Sequence, residues 1–140
     1  MSQNFKNIEK HIFQTLVFIL ALVPITAGLM GLTQGVLMTG AESFEVSLDS
    51  HVRYLSGILF AIGIAFWIII PNIERKTDVF GTLTFLVFIG GCARAYGIFT
   101  LGWPHLGMQF GLFMEIIITP LLCLWQKRIA WKYNARDNKN

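Results

Sequence analysis

Three ionisable side chains stand where the sequence otherwise avoids charge. Arg94 breaks a run from Val79 to Phe99, Glu115 breaks one from Leu106 to Trp125, and Arg53 sits at the threshold of a charge-free run from Tyr54 to Ile73. In hydrocarbon an unpaired charge costs about 2.5–3.5 kcal/mol on insertion scales, so a guanidinium and a carboxylate at one depth are expected to meet. Arg94 lies about six residues, or roughly 9 Å, from the nearer end of its run, and Glu115 about eight residues, or roughly 12 Å. Glycines at helical spacing accompany Arg94 (Gly90, Gly91, Gly97) and Glu115 (Gly111), and Ser56 and Gly57 accompany Arg53.

His51, Tyr54, Tyr96, His105 and Gln109, with Gln34, fall near that depth or above it. Together with the three charges they outline a polar chamber opening outward. Arg53 and Arg94 would hold an anionic or carbonyl group there, with Glu115 as counter-charge. The competing reading is a salt bridge that only fixes helix register. His51, His105 and Glu115 share no helical i,i+4 spacing, and no cysteine or second acid joins them, so no metal is expected. No nucleophile elbow, phosphate-cradling loop, CxxC or HExxH is present, and neither a catalytic residue nor a cofactor is assigned.

The elements that must carry these residues follow from composition. Of 140 residues 54% are apolar and 14% charged, with mean hydropathy +0.60. Soluble domains carry about 25% charged residues, so the solvent implied is lipid. Residues 12–41 contain no Asp, Glu, Lys or Arg, which gives a fourth apolar run. Each run is about 20 residues, the length a helix needs to cross a core of roughly 30 Å. Backbone groups in hydrocarbon must be paired within the segment, so helices are required. The sequence predicts an all-α, four-span helical bundle occupying 1–140 as one domain, with helices near 12–37, 52–71, 79–99 and 106–125 and a basic tail over 126–140. The first run is too long for a signal peptide, and Ile25-Thr26-Ala27 lacks the small residue of a cleavage site, so it reads as a retained helix.

Nine of the eleven Lys and Arg flank the runs on one side: Lys6, Lys10, Arg75, Lys76, Lys127, Arg128, Lys132, Arg136 and Lys139. The positive-inside rule then puts both termini in the cytoplasm. Trp67, Trp125 and Trp131 fall at the inner interface and Trp103 at the outer one. The net charge of +3 belongs to membrane edges and excludes a nucleic-acid partner; the tail is expected to rest on anionic headgroups. Steps such as Gly31/Gly35 and Gly107/Gly111 predict close helix contacts, tightest in the outer half. Alternation from Phe44 to Asp49 predicts a short extended segment, with Asp49 or Ser50 capping the second span. Cys92 and Cys123 differ in depth and are expected to stay unbridged.

Asp49-x-x-x-Arg53-Tyr54-x-x-Gly57, then Arg94, Trp103-Pro104 and Glu115, resemble the pattern of small bacterial four-helix membrane proteins catalogued as domain of unknown function 4345. In layout they are similar to the DoxX-like group. The resemblance covers most of the chain and implies a multi-pass protein of the bacterial inner membrane, without supplying a reaction. Three functions are compatible with the sequence. The foremost is a non-enzymatic protein binding or passing a small amphipathic molecule. The second is an accessory subunit whose small-residue faces dock a membrane partner or another copy of the chain. The third is a membrane isomerase or oxidoreductase using Glu115 as acid or base, which lacks an evident second titrating group.

Overall fold

The computed structural model describes residues 2–40 and 45–137, and these are helical nearly throughout. Helix α1 is Ser2–Gln34, α2 Val46–Ile69, α3 Thr77–Leu101, α4 Leu106–Phe113 and α5 Thr119–Asp137. Tight 3₁₀ turns at Gly35–Thr39 and Ile70–Arg75 follow α1 and α2, and a π-turn, Met114–Ile118, joins α4 to α5. Among the described residues no strand occurs, and four stretches are long and apolar enough to cross a membrane: Asn7–Thr39, Val46–Arg75, Thr77–Leu101 and Leu106–Ala135.

The helices run further than the apolar runs predict. Residues 126–137 of the tail are helical, which suits a Gln-, Lys-, Arg- and Ala-rich segment free of Gly and Pro. The extended segment predicted from Phe44 is not seen over its described part: Val46 opens α2, and Asp49 sits in its first turn with Glu45 as the capping position. An acidic side chain there complements the positive end of the helix, which favours helix over strand. Phe44 lies outside the described residues. Asp49 therefore does not cap α2; its Oδ1 accepts the backbone N–H of Val36 at 2.9 Å, tying down the turn after α1.

The chain forms two compact units. One is residues 12–71, and the other joins the N-terminal residues up to His11 with the chain from Asn72 onward. In the first, α1 and α2 pack antiparallel. Gln14 Nε2 donates to the carbonyl of Ile70 at 2.7 Å, and Trp67 Nε1 donates to that of Phe18 at 3.1 Å. The Phe18 and Trp67 rings stack at 4.9 Å. Small residues bring the backbones together: a β-carbon on Gly28 would lie 2.6 Å from the amide nitrogen of Phe60, and one on Gly63 would lie 2.6 Å from Ile25 Cγ1. Phe13, Val17, Ala21 and Ile25 form the buried stripe of α1, one residue per turn.

The second unit is α3 against α4, the π-turn and α5, with the first turns of α1. Its buried apolar residues are Ile73, Phe80, Leu83, Ile129 and Ala130, at the end nearest the basic tail. The sequence predicts the tightest packing at the opposite end, and here that expectation fails. Gly107 and Gly111 do not bring helices together: a β-carbon on Gly111 would meet only Glu115 Oε1, at 4.0 Å, and one on Gly107 only the His105 ring. The packing of this unit is made instead at the tail end by larger side chains, Phe80 and Leu83 among them. Gly91 does serve close approach, since its β-carbon would fall 2.7 Å from Glu115 Cβ.

Candidate functional site

The π-turn has a cause in the sequence. Pro120 has no N–H, so it cannot donate to the carbonyl one helical turn earlier, and the ladder must shift. The backbone N–H of Thr119 reaches back to the carbonyl of Met114, and its hydroxyl donates to the same oxygen at 2.9 Å. The added residue in this turn re-aims the side chains within it, Glu115 among them. Single π-turns inside α-helices occur frequently at functional sites.

Glu115 meets Arg94 of α3 in a bidentate pair. Arg94 Nε donates to Oε2 at 3.0 Å, and Nη2 donates to Oε1 at 3.1 Å. This fork-to-fork geometry fixes both side chains. The remaining guanidinium nitrogen, Nη1, points at the thioether of Met108, with Nη1–Sδ 2.7 Å. Glu115 is the deeper partner, its side chain 16% exposed against 32% for Arg94. Met108 is absent from the sequence-derived set, though its spacing of two turns before Glu115 puts both on one helix face.

Arg53 belongs to the other unit and has its own partners. Its Nε donates to Asp49 Oδ2 at 2.7 Å. Its Nη1 donates to the carbonyl of Leu32 and to that of Thr33 at 3.2 Å. Gly35, at φ +59, packs directly against Asp49, leaving no room for a β-carbon. This cluster locks the α1–α2 connection, and the carboxylate nearest Arg53 is Asp49, four residues before it on its own helix.

The other expected lining residues are placed individually. Tyr54 and Tyr96 are 65% and 72% exposed, and His51 and His105 are exposed as well. His105 is the residue preceding α4, and its carbonyl accepts the N–H of Met108 at 3.0 Å. Gln109 turns back to donate to the carbonyl of Pro104 at 2.8 Å. Among the described residues no group of three His, Cys, Asp or Glu could hold a metal.

A second polar cluster, which the count of cations conceals, lies at the tail end. The Glu9 carboxylate contacts Lys132 Nζ and Arg128 Nε and accepts from Trp125 Nε1 at 3.3 Å. Lys10 pairs with Glu74 at 2.9 Å and lies 5.5 Å from the centre of the Tyr133 ring. Gln126, fully buried, donates to the carbonyl of Ile73 at 2.7 Å and to Thr77 Oγ1 at 3.1 Å. Glu9 and Glu74 were the available signals: two acids inside otherwise basic flanks.

A family model described as Domain of unknown function (DUF4345) matches residues 12–126. The chain belongs to the DUF4345 family. No curated protein and no solved structure matches it. In this DUF4345 protein the matched region takes in Arg53, Arg94, Met108 and Glu115. Glu9, Lys10, Arg128 and Lys132 fall outside it.

Proposed function

We propose that this multi-pass DUF4345 protein binds, and passes on, a small amphipathic molecule whose anionic or carbonyl head is held at Arg94. The observation that carries the reading is the arrangement of three contacts around one guanidinium. Two are made by Glu115, which neutralises the charge and fixes the plane. The third is a thioether, a weak acceptor that a ligand oxygen can replace with a stronger, charge-assisted bond. Intramembrane ionisable residues serve pathways and ligand sites more often than not. The Gly102 end of α3 adds apolar surface: Phe99, Leu101, Trp103 and Leu106 are all at least three-quarters exposed. No acid–base reaction is assigned to Glu115. We place the protein in the bacterial inner membrane with both termini cytoplasmic, on the asymmetry of its basic residues.

A test compares organic extracts of the purified wild type and the Arg94→Met/Glu115→Leu variant by mass spectrometry, with melting behaviour confirming that both are folded. The proposal expects an anionic or carbonyl amphiphile enriched on the wild type and missing from the variant. Identical extracts would refute it. A second reading, an accessory subunit, is favoured by one observation. Gly90 and Gly97 of α3 flank Arg94 on one face, and a β-carbon on either meets nothing within 4 Å, leaving room for a partner helix. That reading expects Gly97→Leu to abolish a co-purifying membrane protein while leaving the extract unchanged.

A further inference from the structure

The basic flanks contain cations of two kinds. Lys10, Arg128 and Lys132 are spoken for by Glu74 and Glu9. Arg75 and Lys127 make no ion pair among the described residues, and both line one cleft of about 690 Å³, with Glu74, Thr77, Asp78, Ala130, Trp131 and Asn134. Its volume lies in the range of small-molecule sites. By sequence it sits where the apolar runs end, since Arg75 follows Ile73 and Lys127 follows Trp125.

The lining carries complementary groups. Arg75 and Lys127 can hold a phosphate, Arg as a fork and Lys as a point charge. Thr77 Oγ1 already accepts from Gln126, so its hydroxyl hydrogen is available to donate. Asp78 makes no ion pair among the described residues, and Trp131 is 72% exposed. A carboxylate and an open indole face are the two groups that hold an alkylammonium. We infer that this cleft is a seat for a zwitterionic phospholipid headgroup, the phosphate on Arg75 and Lys127 and the ammonium on Asp78 and Trp131. Trp131 at the headgroup level also suits an interfacial anchor. The site is separate from the Arg94–Glu115 node and does not depend on the function proposed for it.

Native mass spectrometry of the full chain in non-ionic detergent tests this with phosphatidylethanolamine, phosphatidylglycerol and water-soluble glycerophosphoethanolamine as probes. The wild type should retain phosphatidylethanolamine in preference to phosphatidylglycerol. Arg75→Gln with Lys127→Gln should weaken retention of both lipids by roughly tenfold or more. Asp78→Asn should erase the preference while phosphatidylglycerol stays bound. Because Asp78 is exposed, that variant keeps the test decisive should the double variant fail to fold. Lys76→Gln, which removes a neighbouring positive charge outside the cleft, should change nothing. An equal loss with Lys76→Gln, or no preference in the wild type, overturns the inference. Competition by glycerophosphoethanolamine as effective as that of the lipid would assign the cleft to a soluble phosphate ester instead.

Discussion

Removing Arg94 and Glu115 singly and together separates a structural pair from a binding one. Two contacts near 3 Å represent a gross attraction of about 5 kcal/mol at an effective dielectric of 20. That figure is not the loss expected from a mutation, because both groups are also desolvated. Breaking a buried pair costs about 3–5 kcal/mol, since the partner is left uncompensated. Arg94 is 32% exposed, which screens the stranded charge. Arg94→Met or Glu115→Leu alone should therefore fall at the lower end, about 3 kcal/mol. Arg94→Met with Glu115→Leu removes both charges at similar volume and should recover most of the loss, giving a coupling energy of at least about 3 kcal/mol. The assay is reversible unfolding in mixed micelles titrated with denaturing detergent, run on all four proteins. Coupling below about 0.5 kcal/mol would refute the pair as an energetic unit. With stability recovered, the extract of the double variant then decides the role: an unchanged extract means a register lock, and a missing amphiphile means a site.

Asp49→Ala should destabilise by about 2 kcal/mol, because it strands both the Val36 N–H and Arg53, whereas Asp49→Asn should cost less; the same unfolding titration reads both. Gly28→Leu and Gly91→Leu should abolish folded yield, because each would drive a side chain into a neighbouring helix, while Gly97→Leu and Leu86→Ile should leave melting unchanged. With Cys92 and Cys123 replaced, a cysteine at Glu45 or Thr100 should react with an impermeant thiol reagent added outside the cell, and one at Lys76 should not; the reverse pattern would invert the topology.

The four long apolar helices were legible because crossing hydrocarbon has one requirement, about 20 apolar residues, and the chain states it four times. The Arg94–Glu115 contact was legible for the same reason, since two charges at one depth have few other ways to be neutralised. Asp49 was harder. A strand-like alternation over residues 44–49 and a helical first turn contain the same residues, and Arg53 one turn later is what favours the helix. Gly107 and Gly111 show the limit of small-residue steps: a helix offers such a face whether or not anything fills it. Met108 carried no signal of its own, because a methionine in an apolar run is ordinary. The lock around Glu9 was hidden by reading the flanks for positive charge, when the acids within them decide which cations remain available.

That last distinction between committed and uncommitted groups bears on where function can reside. Arg53 holds the α1–α2 connection through Nε, bonded to a carboxylate, and Nη1, bonded to two carbonyls of its own unit. A ligand competing for Nε or Nη1 would break bonds as strong as those it makes, and would loosen the α1–α2 connection in doing so. Arg94 differs in one contact. Its fork to Glu115 can persist while Nη1 exchanges a thioether for an oxygen, so binding adds a charge-assisted bond at the expense of a weak one. Glu115 is needed in this scheme even though it repels an anion: without it a lone guanidinium in the span would be costly to insert, and with it the site is nearly neutral until a ligand arrives. The π-turn imposed by Pro120 accounts for that carboxylate having its own bend in the helix. At the tail end the same distinction separates Arg75, Lys127 and Asp78, without an ion pair among the described residues, from Lys10, Arg128 and Lys132, held by Glu74 and Glu9.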